Sequence, residues 1–298
     1  MTAKTMSLSQ FSAQLEAMQS TTVPDLIDVE NFDFLRSLAQ RHAGIVLADH
    51  KRRMVHRRVS KRLAALGVDS FSSYSALLQS PAGTEELEHF INALTTNKTE
   101  FFRERHHFDH LVASAVPNLL KNRNRDANGR FRVWSAGCSF GPEPYSIAMS
   151  LRDGVPEIAN WNTKILATDI DTDVLERARK GCYREDDIDA VPPHLRSVYF
   201  SKLREDGGIY RIAPIISTMI SFNPLNLHGH WPMKGQFDII FCRNVIIYFD
   251  KPTQARLIDR FADIMREDGY LYLGHSESLY RVSDRFRPVG QSIYQKIG

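Results

Sequence analysis

Cysteines, long apolar runs and an apolar leader are scarce or missing in this sequence. Its 298 residues include three cysteines, Cys138, Cys182 and Cys242, which form no Cys-x-x-Cys pair. We therefore expect no disulfide framework and no zinc site, and a reducing cytoplasm as the compartment. No run approaches the ~18 apolar residues of a membrane span, and no signal-peptide pattern opens the chain. With 43% hydrophobic residues, the chain is still apolar enough to bury a large core.

Acidic residues are absent from "KRRMVHRRVSKR" (residues 51–62), which holds seven Lys and Arg side chains. The net charge of the whole chain is only +3, so the remainder is net acidic. A basic run of this kind is most often a solvated helix face, but it also fits an anionic partner. Arg53, Arg57 and Arg58 are the candidate partner-binding residues, facing either nucleic-acid phosphates or an acidic protein helix.

Helical patterns fill residues 29–107. The stretch "ENFDFLRSLAQRHAG" has one apolar face and ends at Gly44, a residue type common just beyond helix ends. In the basic run, four apolar residues share one stripe that Gly67 ends: Val55, Val59, Leu63 and Leu66. Two shorter helices follow in "SFSSYSALLQS" and "TEELEHFINALTTN". We predict an all-helical domain over residues 29–107, preceded by a polar arm over residues 1–28.

Strands and helices alternate in the rest of the chain, which is typical of a parallel sheet. The predicted strands are "FRVWSAG", "TKILATDI", "MISFNPL", "FDIIFCRN" and "GYLYLGH", followed by two edge strands in "DRFRPVGQSIYQKIG". The predicted helices cover residues 143–152, 172–180 and 252–266, and Gly269 is taken as the end of the last. Residues 183–218 interrupt the alternation. We predict an α/β domain over residues 108–298, with 183–218 as an inserted β-subdomain containing a hairpin.

The turn after the first predicted strand has two interpretations. Gly137, Ser139 and Gly141 form a Gly-x-Ser-x-Gly pattern. In an α/β-hydrolase Ser139 would be the nucleophile, and Asp169 and His275 follow in the required chain order. Alternatively, the glycines allow a nucleotide-like cofactor to approach the backbone at the start of the next helix.

The next strand, "KILATDID", favours the cofactor. Asp169 lies near its end, where nucleotide-binding α/β folds bind a ribose diol. The turn lacks full Gly-x-Gly-x-x-Gly spacing, which argues against a pyrophosphate. S-adenosylmethionine has a ribose and no phosphate, and Glu143 beside the turn can meet its ammonium group. Glu143 could equally be a first-turn acid favoured by the helix dipole.

Five short motifs occur in order along the chain: "LTTNKTEFFRE" (residues 94–104), "WSAGCSFGPEPYS" (134–146), "ATDID" (167–171), "FCRNVIIYFD" (241–250) and "GHSE" (274–277). With these motifs the sequence resembles the chemoreceptor glutamate O-methyltransferases, the CheR family, from about Phe32 to its C-terminus. The resemblance implies a Rossmann-like class I methyltransferase sheet with an N-terminal all-helical domain and a small inserted β-subdomain. It also implies a cytoplasmic enzyme that uses S-adenosylmethionine, releases S-adenosylhomocysteine and methylates glutamates on the cytoplasmic helices of methyl-accepting chemoreceptors.

The resemblance implies a set of cofactor-binding residues, most of them at the carboxyl ends of strands. Besides Glu143 and Asp169, they are Asn97, Thr99, Arg103, Asn226, Leu227, Asn244 and Val245. By this resemblance, the first three close over the site from the domain junction. The two after the third strand flank the adenine, and the last two complete the pocket.

Arg103 and Tyr248 are the candidate catalytic residues. A glutamate with a pKa of about 4.3 is already ionised at pH 7, so methyl transfer to it needs no general base. The carboxylate must instead be desolvated and aligned with the methyl group. The guanidinium of Arg103 can orient a carboxylate through two hydrogen bonds, and the resemblance places Tyr248 beside the reacting methyl. We assign His275 no role beyond stabilising its loop.

Other functions and partners stay open at this point. The family's glycine turn has Thr and an acid where this chain has Phe140 and Pro142. A regulator that binds the cofactor without transferring methyl groups is therefore an alternative, beside the serine hydrolase.

In some family members the inserted subdomain binds a receptor's C-terminal peptide. "CRNVIIYF" lacks the Asn/Asp-Pro-Pro-aromatic signature of base methyltransferases, so we expect an acidic receptor helix and no nucleic acid.

Overall fold

The computed structural model of the protein describes residues 26–122, 129–203 and 207–297. The arm predicted for residues 1–28 thus lies outside the described residues up to residue 25. Of its last three residues, Ile27 is buried and donates its backbone N–H to His56 Nδ1. Asp28 accepts a hydrogen bond from the Asn31 N–H and caps the first helix.

Helices form the N-terminal part of the described chain. They are α1 (Val29–Ala43), α2 (Arg52–Leu66), α3 (Phe71–Gln79) and α4 (Thr84–Leu94), with 3-10 turns at Asp49–Lys51 and Pro81–Gly83. The predicted ends of α1 and α2 are confirmed, because Gly44 and Gly67 have φ values of 70° and 65°. Only glycine adopts this left-handed conformation without strain, which lets the chain leave the helix.

The apolar stripe predicted for α2 is confirmed over three of its four residues. Val55, Val59 and Leu63 are buried in the core between the helices, whereas Leu66 in the last turn is 42% exposed. The arginines and lysines occupy the rest of the helix circumference. The helix therefore has one face in the core and one basic face outside it.

A buried carboxylate holds three of these helices together. Glu86 on α4 accepts hydrogen bonds from Arg62 Nε and Nη2 on α2, at 2.9 and 2.5 Å, and from the Tyr74 hydroxyl on α3, at 2.6 Å. Glu86 is only 5% exposed. Burial alone would raise its pKa, but the Arg62 and Tyr74 hydrogen bonds outweigh burial and lower it. The carboxylate is thus compensated by a charge-assisted network.

The second part of the chain forms one large and one small sheet. The strands are β1 (Arg130–Ala136), β2 (Asn162–Asp169), β3 (Cys182–Arg184), β4 (Phe200–Lys202), β5 (Ile209–Ile212), β6 (Ile220–Pro224), β7 (Phe237–Cys242), β8 (Met265–Leu273), β9 (Phe286–Gly290) and β10 (Ile293–Lys296). The large sheet has the order β6-β2-β1-β7-β8-β10-β9 and is parallel up to β8, after which β10 and β9 are antiparallel. The predicted α/β fold and its closing edge strands are confirmed.

Helices cover both faces of the large sheet. They are α5 (His106–His110, continued by a π-helical turn at Leu111–Ala115 and by Val116–Asn122), α6 (Pro142–Gly154), α7 (Thr172–Lys180), α8 (Pro193–Tyr199), α9 (Pro214–Ser217) and α10 (Lys251–Ile264), with 3-10 turns at Pro156–Asn160, Asp186–Ile188 and Ile246–Tyr248. The two sheet faces carry separate clusters of buried apolar side chains. Among the described helices, none is long and apolar enough to cross a bilayer.

The prediction for the end of α10 was wrong. The helix ends at Ile264, and β8 begins at the next residue and runs through Gly269. A Cβ atom on Gly269 would lie 2.9 Å from the carbonyl oxygen of Asp238 on β7. This glycine therefore permits a close approach between neighbouring strands and does not end the helix.

The described residues of the inserted segment, with Cys182 before it, form three strands. They form a separate antiparallel sheet in the order β3-β5-β4, so the predicted hairpin is β4–β5 and β3 adds to it. Phe101 packs its ring edge-on against Tyr183 and Phe200 of this sheet, with centroid separations of 4.9 and 5.6 Å. The insertion is thereby fixed to the segment that links α4 to α5.

Replacing Glu86 by alanine tests the network in the helical part. Because Glu86→Ala leaves the Arg62 guanidinium and the Tyr74 hydroxyl without their buried acceptor, we expect a loss of about 3 kcal/mol in the free energy of unfolding. Urea unfolding followed by circular dichroism measures this loss. Glu88→Ala, on the exposed side of the same helix, is the matched control and should change stability by under ~0.5 kcal/mol. Equal effects of the two substitutions would contradict a specific role for Glu86.

Candidate active site

A cleft lies at the carboxyl ends of β1, β2 and β7, beneath the helical part of the chain. Register brings these ends together, since Ala136 of β1 pairs with Thr168 of β2, and Ser135 of β1 pairs with Phe241 of β7. Every residue predicted for the cofactor and the methyl-transfer step lines this cleft: Asn97, Thr99, Arg103, Glu143, Asp169, Asn226, Leu227, Asn244, Val245 and Tyr248. The sequence therefore identified residues that lie together in the fold.

The segment linking α4 to α5 forms the roof of the cleft. On one side, Arg58 Nη1 on α2 donates to the carbonyl oxygens of Leu94 and Thr95, at 2.5 and 2.7 Å. On the other side, Asp171 Oδ2 accepts from Thr95 Oγ1 and Asn97 Nδ2, at 2.9 and 2.7 Å. The linker is thus fixed between the helical part and the sheet.

These contacts correct the prediction for Arg58. Its guanidinium is half-buried and committed to the linker, so it is not free to bind a partner. Arg53 and Arg57 are exposed, and Lys61 one turn further on is exposed as well. Spacing alone could not separate these residues, because a neighbouring linker decides which arginine faces inward.

The glycine turn places the ends of β1 and β7 in close contact. Gly137 has a φ of 85°, and a Cβ atom there would lie 2.4 Å from Val245 Cγ2. Only glycine therefore allows the loop after β7 to approach the turn. This approach forms one wall of the cleft from backbone and Val245.

Ser139 is not arranged as a nucleophile. Its hydroxyl donates to the carbonyl oxygen of Asn97 at 3.2 Å, and its backbone N–H donates to Asp169 Oδ2 at 2.7 Å. His275, the base that a hydrolase would need, contacts Glu104, and the described residues that line the cleft include no histidine. The serine–histidine pair of a hydrolase is therefore not formed.

Asp169 occupies the position expected for binding a ribose. Its carboxylate is 8% exposed and accepts backbone N–H groups from Ser139 and Asp171. Burial raises the pKa of Asp169 to about 6, against the hydrogen bonds from these two N–H groups. Above that pH the carboxylate is ionised, with acceptor capacity left for a diol in the cleft.

Glu143, in the first turn of α6, provides a second buried acid. Ser135 Oγ donates to its Oε1 at 2.7 Å, and Arg243 Nη1 lies 3.6 Å from its Oε2. Burial raises the pKa of Glu143, while the Arg243 charge and the Ser135 hydrogen bond oppose that rise. A cation bound in the cleft would favour the ionised carboxylate further.

Arg243 is a site residue that the sequence prediction missed. It ends the β7 motif directly before Asn244, is 6% exposed, and lines the cleft. Its Nη2 donates to the carbonyl oxygen of Arg103. Its position at the end of a strand that is apolar except for Asp238 was the available signal, but an arginine there is usually a surface residue.

Arg103 is held in a constrained loop. The flanking residues Phe102 and Glu104 have positive φ values of 53° and 56°. Non-glycine residues in this conformation cost of order 1 kcal/mol each and persist only where surrounding contacts impose them. Here Phe102 is buried and donates its N–H to Ser146 Oγ. The loop presents the half-buried Arg103 side chain to the cleft, where its Nη1 donates to the Lys98 carbonyl oxygen.

Tyr248, Asn226 and Asn244 are positioned largely by contacts of their own. The Tyr248 carbonyl accepts the Val46 N–H from the helical part, and Lys51 Nζ lies 5.8 Å from its ring centroid. The Asn226 side chain donates to the His42 carbonyl oxygen. Asn244 has a φ of 59° and donates its N–H to Glu277.

Phe140 and Pro142, where the sequence departs from the family pattern, do not line the cleft. The Phe140 ring lies beneath the Arg177 guanidinium, 4.0 Å from its centroid. Pro142 is buried at the start of α6, where a missing N–H costs nothing. These two substitutions therefore leave the acids of the cleft in place and give no support to a non-catalytic regulator.

The residues present fit S-adenosylmethionine. Asp169 suits a ribose diol and Glu143 an ammonium group, while Leu225, Leu227 and Ile170 provide an apolar wall for an adenine. The Gly137 turn lets a ligand approach the backbone closely. The fold and this site define a class I S-adenosylmethionine-dependent methyltransferase.

Comparisons with known proteins identify the family. The model of the CheR methyltransferase all-alpha domain matches residues 30–95, and that of the CheR methyltransferase SAM binding domain matches residues 97–295. The chain belongs to the CheR family.

Relatives match over most of their length. A probable chemotaxis protein methyltransferase of Rhizobium etli is 44% identical over 84% of this chain and 92% of its own. The chemotaxis protein methyltransferase of Escherichia coli is 43% identical over 89% and 90%, and that of Salmonella typhimurium 41% over 96% and 95%. Among solved structures, the N-methyltransferase NodS from Bradyrhizobium japonicum has a TM-score of 0.36 at 10% identity, over 65% of this chain and 96% of that one.

The raised pKa of Asp169 predicts a pH dependence of ligand binding. Below pH about 6 Asp169 becomes protonated and loses acceptor capacity, so affinity for S-adenosylhomocysteine should fall with pH. Binding that needs the ionised form weakens up to about tenfold per pH unit below the pKa. Protonation of Glu143, whose pKa is also raised, acts in the same direction.

Calorimetry with S-adenosylhomocysteine between pH 5 and 8 measures this dependence. Asp169→Asn should bind weakly at all pH values, with a flatter profile. If the unaltered protein binds S-adenosylhomocysteine equally well at pH 5 and pH 7.5, Asp169 does not contact the ligand.

Proposed function

We propose that the protein transfers the methyl group of S-adenosylmethionine to glutamate side chains of chemoreceptors, giving methyl esters. The observation that carries this proposal is the position of Arg103. Its side chain lines the same cleft as the acids Glu143 and Asp169. A guanidinium at this position suits a carboxylate substrate.

Methyl transfer to a glutamate requires no general base from the protein. S-adenosylmethionine supplies an activated methyl group bound to sulfur. A substrate glutamate is ionised at pH 7, so the protein has to desolvate and align it. Arg103 orients the carboxylate, the linker roof excludes water, and Tyr248 lies beside the reacting groups. The half-buried state of Arg103 suits this role, because a fully buried ion pair would reduce the nucleophilicity of the carboxylate.

The cofactor contacts follow from the same arrangement. Glu143 takes the ammonium group, Asp169 the ribose diol, and Asn226 and Leu227 flank the adenine. Asn97 and Thr99 close the roof, and Asn244 and Val245 form the opposite wall. We add Arg243 to this set, because its buried guanidinium lies between Glu143 and the Arg103 loop. The Asn226 side-chain amide already donates to the His42 carbonyl oxygen, so Asn226 contacts the adenine through its other atoms.

The receptor surface is smaller than the basic sequence suggests. Arg52, Arg58 and Arg62 are occupied by contacts within the protein, whereas Arg53, Arg57 and Lys61 form an exposed stripe along α2. An acidic receptor helix that presents glutamates to Arg103 would meet this stripe. The exposed Ser201 and Lys202 of the outer strand β4 leave an edge where a receptor's C-terminal peptide can add as a strand.

The division of the chain is part of the same proposal. We assign residues 29–107 to a helical receptor-facing domain and 108–298 to the methyltransferase domain, with 183–218 as its insertion. This division falls directly after the linker between α4 and α5, in the first turn of α5, and the linker carries both Arg58 contacts and cleft residues.

Label transfer tests the proposed reaction. Incubation with methyl-labelled S-adenosylmethionine and chemoreceptor-bearing membranes should give label that alkali releases as methanol, as expected for a carboxyl methyl ester. Arg103→Ala should reduce transfer about a hundredfold, because the carboxylate is no longer aligned. Its affinity for S-adenosylhomocysteine should stay within about threefold, since the acids remain. Label that is stable to alkali would exclude a glutamate ester. A large loss of S-adenosylhomocysteine affinity in Arg103→Ala would show that Arg103 binds the cofactor and does not orient the substrate.

Substitutions of the adjacent residues Arg57 and Arg58 distinguish receptor binding from the contacts that hold the linker. Arg57→Glu should raise the receptor KM about tenfold, with an effect that shrinks at high salt, and leave S-adenosylhomocysteine affinity unchanged. Arg58→Gln should instead weaken S-adenosylhomocysteine binding, because the linker loses its anchor. Steady-state methylation at two salt concentrations and calorimetry measure the two effects. An unchanged receptor KM in Arg57→Glu would show that the stripe is a solvated helix face that does not bind the receptor.

A further inference from the structure

Glu104 connects three segments around the methyl-transfer site. Its side chain is 10% exposed, and it follows Arg103 in the constrained loop. Its Oε1 accepts from the backbone N–H of His275 at 3.3 Å and from His275 Nδ1 at 2.9 Å, in the loop after β8. Its Oε2 lies 3.7 Å from Arg243 Nε, at the end of β7. One carboxylate thus contacts the loops that follow two neighbouring strands.

Arg243 lies between two carboxylates as a consequence. Its Nε faces Glu104 at 3.7 Å, and its Nη1 faces Glu143 at 3.6 Å. The guanidinium side chain is 3% exposed, so solvent screens these charges little. The Arg243 guanidinium is thus shared between the two acids.

Of the other groups near this cluster, the Arg103 guanidinium also acts on Glu143 and lowers its pKa. His107 Nδ1 lies 3.5 Å from Glu104 Oε2, but burial and the Arg243 charge lower the pKa of His107 to about 3, so the ring is neutral. Burial would raise the pKa of Glu104, yet the His275 hydrogen bonds and the Arg243 charge outweigh it and lower the pKa. Glu104 is therefore ionised at neutral pH.

We propose that Glu104 is a positioning residue that sets the charge of the methionyl end of the cleft. By drawing Arg243 away from Glu143, it leaves Glu143 free to pair with the ammonium group of the ligand. This inference rests on the assignment of that group to Glu143 in the proposed function. It has a consequence for ligand preference, because S-adenosylmethionine carries one positive charge more than S-adenosylhomocysteine. The Glu104 charge shifts the balance of affinities towards the charged methyl donor and away from the product.

Calorimetry of both ligands without a methyl acceptor tests this role. Glu104→Gln keeps the size of the side chain and removes its charge, so Arg243 pairs fully with Glu143. We expect the Kd of S-adenosylmethionine to rise about tenfold and that of S-adenosylhomocysteine about threefold or less, because only the methyl donor carries the sulfonium charge. Glu104→Asp keeps the charge, so the ratio of the two Kd values should stay near that of the unaltered protein. Asp109→Asn, an exposed carboxylate on α5, is the control and should change neither value.

Two further variants keep the test decisive. Arg243→Gln removes a positive charge from the same cluster, so the ratio of the Kd for S-adenosylmethionine to that for S-adenosylhomocysteine should move in the opposite direction. This variant decides the matter if Glu104→Gln does not fold. Glu143→Gln should weaken both ligands, and an unchanged affinity there would overturn the ammonium assignment in the proposed function separately. An equal rise in both Kd values in Glu104→Gln, or the same direction of change in Arg243→Gln, would overturn the charge-setting role.

Discussion

The site depends on the linker between α4 and α5 being held from both sides. Arg58 binds its carbonyl groups from the helical part, and Asp171 binds its side chains from the sheet. A short linker with unpaired backbone groups would otherwise be the least constrained part of the molecule. Because it is fixed, Asn97 and Arg103 roof a cleft whose floor is the sheet. The helical part thus contributes to the active site.

Electrostatics in the cleft follows from burying two acids, one of which lies beside the Arg243 guanidinium. Asp169 and Glu143 lose water on folding, which raises their pKa values, and backbone N–H groups or Arg243 partly compensate. The result is a negative site for a cationic ligand, next to the Arg103 side chain that suits a carboxylate. Methyl transfer between a sulfonium and a carboxylate needs both environments a few ångströms apart. The strained loop carrying Arg103 and Glu104 is where the two environments meet.

Sequence patterns predicted those features that depend on local periodicity. The strands, the helix ends at Gly44 and Gly67, and the acids at the strand tips were all predicted correctly in position, because burial of a parallel sheet imposes apolar runs and strand ends converge. Gly269 was misread, since a glycine that allows close strand packing looks the same as one that ends a helix. Arg58 was predicted to bind a partner, and Arg243 was not predicted as a site residue. Both errors arise because the environment of an arginine is formed by segments distant in the chain.

The amino-acid sequence by itself determined the two-part architecture, the family, and which residues line the cleft. These follow from local patterning and from motifs whose order along the chain is specific. Only the tertiary structure decided which basic side chains stay exposed, that no described histidine lines the cleft with Ser139, and that Glu104 and Glu143 share one guanidinium. Arg243 lies 139 and 100 positions from these two acids, and the energies of such pairings depend on distance and burial, which exist only once the chain is folded.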